Sequence, residues 1–170
     1  MNAASLNRLV DQLGLIVLHD NLDSWEWTVA LPTRSNLYKR GMEIDDIGCI
    51  TCNCLMKMVD HIFFECPLAL DLWSKIRGWV DLNIPISPSW ASWFDWYNNM
   101  RLTADAKIKL YVIVGATLWH IWRFRNSVLY GSPRLKKDIL FDSIRNFSFN
   151  WIVSRSKCNC SWNSWLVKPL

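Results

Sequence analysis

Apolar residues recur at intervals of three and four along most of the chain, the spacing that lines one face of an α-helix. Leu6, Leu9, Val10 and Leu13 form the first stripe, and Gly14 follows as its stop. Thr33 can cap a short helix that Gly41 ends, with Leu37 and Tyr38 expected to face inward. Pro67 suits the first turn of a longer helix with the stripe Ala69, Leu72, Trp73, Ile76, Trp79 and Val80. Residues 85–88 form a connector, and Ser87-Pro88 opens a helix with Trp90, Trp93, Phe94 and Tyr97 on one side. Residues 103–128 read as a long, mostly buried helix. Ser132-Pro133 starts one more, directing Leu135, Ile139, Ile144, Phe147 and Trp151 at the core. Residues 25–29, Trp-Glu-Trp-Thr-Val, alternate like a short strand but have no obvious partner. The expected class is mainly α.

Composition refines this picture at three points. Hydrophobic residues make up 51% of the 170 and charged residues 20%, which excludes a disordered polyelectrolyte. Most of the twelve Trp fall on helix stripes, so they report a helical core, and Trp162 and Trp165 stay unplaced. The net charge of +4 hides a division. Residues 1–100 carry seven Lys/Arg against twelve Asp/Glu, net −5, and residues 101–170 carry twelve against three, net +9.

The first residues show no basic stretch leading into an apolar run, so a secretory signal is not expected and the protein is placed inside the cell, nucleus or cytoplasm left open. The most apolar stretch, 110–121, is shorter than the ~18–20 residues a membrane span needs. No membrane association is expected. Reduced cysteines follow from an intracellular setting, and a disulfide framework does not. His120, between Trp119 and Trp122, is expected to be a hydrogen-bonded core histidine.

The strongest chemical signal is Cys49-x2-Cys52-x8-His61-x4-Cys66. Two thiolates two residues apart can grip one zinc ion from a tight turn, and a His and a Cys from the next turn complete a tetrahedron. Residues 60–64 can start a helical turn, while Cys66 precedes Pro67 and is turned away from helical angles. Phe63 and Phe64 supply an apolar wall. Four protein ligands and no open position describe one structural zinc, not a catalytic one. The bland alternative is four soft core residues that happen to be neighbours. Cys54 is a possible substitute ligand, and Cys158-x-Cys160 is expected to be a free, exposed pair.

No nucleophile–base set, phosphate-cradling glycine loop or small-molecule site is visible, so an enzyme is not favoured. Arg123, Arg125, Arg134, Lys136 and Lys137, followed by Arg145, Arg155 and Lys157, could form a surface that tracks phosphates, with aromatics available for stacking. The alternative is a solvated helix face.

Leu31-Pro-Thr33, Asn36-Leu37, Arg40-Gly41, Cys49-x2-Cys52, Asp60-His61-x-Phe63-Phe64, Cys66-Pro67 and Trp73 together resemble the zinc-binding domain of plant non-LTR (LINE-type) reverse transcriptases. The resemblance covers about residues 25–80, and residues 81–170 look like the Trp-rich helical tail that follows this domain. It implies segments 1–24 (helix and linker), 25–82 (zinc-binding domain) and 83–170 (helical tail). It also implies a retrotransposon RNA-directed DNA polymerase as the parent protein, RNA or DNA as partner, and Cys49, Cys52, His61 and Cys66 as ligands. Two departures stand out. The family places an aromatic helix of some twenty residues before the Leu-Pro-Thr motif, and here only Thr28, Val29 and Ala30 separate Trp27 from Leu31. The aromatic-x-Asp-Asp turn of the polymerase is also missing, since Asp45-Asp46 follows Glu43-Ile44. The domain therefore reads as a truncated form. The rival to a nucleic-acid-binding tail is a decayed or domesticated fragment that acts only through protein contacts, or not at all.

Overall fold

The computed structural model describes residues 38, 41, 43, 48–53, 59–85, 90–129, 136–155 and 160–170. The expected first helix, the strand at 25–29 and the Thr33 cap lie outside the described residues. Tyr38 lies within them and is 55% exposed, contrary to its expected inward position. A single turn offers too few spacings to specify which face is buried.

Among the described residues all regular structure is helical, as the stripes predict. A π-turn, His61–Glu65, leads into α1, Pro67–Val80, then α2, Trp90–Asn99, and α3, Ala104–Leu129. A 3-10 turn, Lys137–Ile139, runs into α4, Leu140–Arg155, and α5, Trp162–Val167, ends the order. Pro67 occupies the start of α1, where its missing N–H is no loss. Thr103 Oγ1 accepts the Ala106 N–H at 3.2 Å and opens α3. Ser161 Oγ does the same for Ser164 N at 3.1 Å and opens α5. No described helix is long and apolar enough to cross a membrane.

Helix α3 is the centre of the fold. Every residue from Leu110 to Leu118 is buried, so its middle is covered on all sides. Helix α4 lies along it, α1 packs on both, and the π-turn rests against α1 and α3. Leu140, Ile144, Ser148 and Trp151 form the buried stripe of α4. Ile139, expected in the core, is 44% exposed. It ends the 3-10 turn, whose period of three does not run in phase with the helix that follows. Leu135 lies outside the described residues, and Phe147 is half-buried.

The tryptophans tie the helices together. Trp79 Nε1 on α1 donates to the Trp165 carbonyl at 2.8 Å, and the two rings meet edge to face at 5.7 Å. Trp165 Nε1 donates to the Arg145 carbonyl at 3.1 Å. Trp165 is therefore core, whereas Trp162 is 39% exposed. Trp93 and Tyr97 of α2 stack at 5.3 Å, and Tyr97 reaches Tyr111 of α3. His120 is the core histidine its setting predicts: buried, with its Nδ1–H donating to the Ala116 carbonyl at 2.8 Å.

Candidate metal centre

Two short segments and one helix build the centre. The first segment is the turn at 49–53, in which Asn53 N–H donates to the Cys49 carbonyl at 2.7 Å. Asn53 closes it in the left-handed region, φ 57°, a conformation Asn tolerates better than most residues. The reversal brings Cys49 and Cys52 to the same side.

The second segment is the π-turn. Cys66 N–H donates to the His61 carbonyl at 2.7 Å, which closes a five-residue turn. Cys66 itself is extended, ψ 137°, as its place before Pro67 requires. Its thiol thus leaves the helical path and returns to His61. Trp73 holds the turn from α1: its Nε1 donates to the Phe63 carbonyl at 2.7 Å, and its ring stacks on Phe64 at 6.0 Å.

The four ligand atoms of Cys49, Cys52, His61 and Cys66 all lie within 4.8 Å of one another. Cys49 Sγ stands 3.9 Å from Cys66 Sγ, and Cys52 Sγ stands 3.3 Å from His61 Nε2. A zinc–sulfur bond of about 2.3 Å sets a tetrahedral sulfur–sulfur edge of about 3.8 Å. The cluster fits one structural zinc in both donor chemistry and size. His61 presents Nε2 inward, and its Nδ1 lies 3.8 Å from the Glu65 carboxylate, on the side where an outer carboxylate would orient the ring. Cys49 and Cys66 are buried and Cys52 is half-buried.

Two further groups that the Cys/His spacing did not disclose join the centre, Arg125 from α3 and Thr51 from the 49–53 turn. Arg125 of α3 enters from behind the cysteines, only 5% exposed. One guanidinium nitrogen stands 3.1 Å from Cys49 Sγ, and the other stands 3.0 Å from Thr51 Oγ1 and 3.8 Å from Cys66 Sγ. Thr51 Oγ1 also lies 3.1 Å from each of those sulfurs. Burial pushes the Cys49 thiol up, but the Thr51 hydroxyl and N–H and then the Arg125 guanidinium outweigh it, holding it at about 5. Arg125 was grouped in sequence with the exposed cations; its position is inside, against the thiols. The signal was present in the helical period, because Arg125 falls four residues after Ile121 and seven after Leu118, on the buried stripe.

Arg123, Lys136 and Lys137 are exposed, and Arg134 lies outside the described residues. Cys54 and Cys158 do as well. Cys160 is disulfide-bonded, with a partner outside the described residues, which corrects the expectation of a free pair.

No curated protein and no solved structure matches the chain. Residues 16–73 match the family described as zinc-binding in reverse transcriptase, a span that contains all four ligands and ends on Trp73. Over that span the chain carries a reverse transcriptase zinc-binding domain.

Proposed function

We propose that this chain is the non-catalytic, C-terminal part of an RNA-directed DNA polymerase from a plant LINE-type retrotransposon, and that it grips nucleic acid. In this proposal the zinc fixes the knuckle, and the basic helices supply the charge that meets phosphate. The observation that carries it is the exposure of Arg123 at the end of α3 and of Lys136 and Lys137 ahead of α4, in a half of the chain with net +9. Arg101 and Arg155 add exposed charge in the same half. Cations held at a surface release condensed counterions when they neutralise phosphates, which makes affinity salt-dependent.

The test is fluorescence anisotropy of a labelled single-stranded RNA at several salt concentrations. Binding is expected at low salt, with a log–log slope that falls by about 0.7 for each phosphate contact removed. Lys136→Gln with Lys137→Gln should weaken binding across sequences and reduce that slope. Absence of binding at low salt, or a slope indifferent to both substitutions, would favour a protein-contact role.

A further inference from the structure

Arg125 is a buried cation whose counter-charge is sulfur. Among the described residues none of the ion pairs includes it, and the acceptors within reach are Thr51 Oγ1 and the Cys49 and Cys66 sulfurs. An isolated guanidinium is too costly to bury, so an anion must face it. Three thiolates and a zinc ion leave one net negative charge, the complement of one guanidinium. The Thr51 hydroxyl has one proton and accepts from Arg125, so that proton is free for a sulfur. With Arg125 already on Cys49, placing it on Cys66 gives each buried thiolate a donor.

We propose that Arg125, relayed in part through Thr51, is a positioning residue that neutralises the zinc thiolates and locks α3 onto the knuckle. This rests on the zinc assignment. It extends the metal site 52 residues past the matched span, from Trp73 to Arg125. Hydrogen bonds to a thiolate withdraw electron density from sulfur, so the guanidinium should also shield the bound cysteines from electrophiles.

The test uses the full 170-residue chain loaded with zinc or with cobalt(II). Wild type, Arg125→Met, Arg125→Lys and Thr51→Val are compared with Ile113→Ala, a core change in α3 three turns from the site. Measured are zinc affinity by chelator competition, iodoacetamide labelling of the zinc-loaded protein, and the sulfur-to-cobalt charge-transfer band. Arg125→Met should lose about 10- to 100-fold in zinc affinity, the range for outer partners of metal ligands. Its cysteines should label faster and its band should move to longer wavelength. Arg125→Lys, which keeps the charge without the fork, should recover part of each. Thr51→Val should shift the band in the same direction by less, and it keeps the test open should Arg125→Met fail to fold. Ile113→Ala should lose stability with the band unmoved. Arginine and threonine variants with wild-type affinity, labelling and band would overturn the role of Arg125 alone. A wild-type chain that binds neither metal would overturn the zinc assignment with it.

Discussion

His120 shows what burial does to a titratable group in this fold. Burial depresses its pKa below the ordinary histidine value; the bond to the Ala116 carbonyl opposes the shift, and the nearby Arg123 charge adds to it. The unfolded chain therefore takes up a proton near pH 6.5 that the folded chain still refuses. The associated stability is complete above about pH 6.5 and is lost as pH falls toward the lower folded value. Replacing His120 by Gln should remove that loss, so the difference in melting temperature between variant and wild type should change across pH 7.5 to 5.5. Parallel melting curves over that range would count against it. The same scale shows what local sequence could reveal. The four ligands were legible because they lie within 18 residues and their chemistry is distinctive. Thr51 was not, because a hydroxyl is an ordinary group until a fold places it against sulfur. For Arg125 the helical period gave the burial but not the thiol partners.

At the scale of elements, periodicity located α1 and α3 well, since each carries a long apolar stripe that a core can read. Helix α4, expected from Ser132-Pro133, begins instead at Leu140, after an extended Lys136 and a 3-10 turn. Short elements were harder. The 3-10 turn exposed Ile139, and α5, only six residues long, was not anticipated. Its stability comes from docking rather than from propensity, as expected of a helix too short to hold itself. Trp165 is 1% exposed and joins α5 to α1 and α4 through two hydrogen bonds. Trp165→Ala should cost about 3–5 kcal/mol, the usual loss for emptying a buried aromatic site. Trp162→Ala, at a position 39% exposed, should cost much less. Urea melts of the two variants measure both, and equal losses would show that α5 docks through its whole face. Trp73→Phe offers a parallel case. It keeps the ring beside Phe64 but removes the bond to the Phe63 carbonyl, a loss of about 0.5–1.5 kcal/mol.

For the whole molecule, the core matters more than the family span. Buried residues run without a break from Cys49 through α1 and α3 to Trp165, and the knuckle touches α3 as well as α1. The resemblance marked the knuckle and its ligands, because those motifs are local. It could not mark the dependence on α3, which arises from contacts between residues 51 and 125. Zinc should accordingly stabilise far more than its own loop. Metal binding to a site formed only on folding adds its free energy to folding, so chelation should lower the melting temperature by many degrees. Cys49→Ser should approach the same state without a chelator, and the wild type should hold about one zinc per chain. Hydrogen exchange on the full chain localises the effect. Protection should drop at 59–73, where the π-turn loses its anchor, and also in α3 around 118–129, where Arg125 loses its anionic partner. The α5 contacts to α1 and α4 are remote from the metal and should keep more of their protection. If chelation opened 59–73 and left 118–129 unchanged, the knuckle would be an appendage on a self-sufficient helical core. Loss in both segments would instead show that the zinc and the central helix form one cooperative unit.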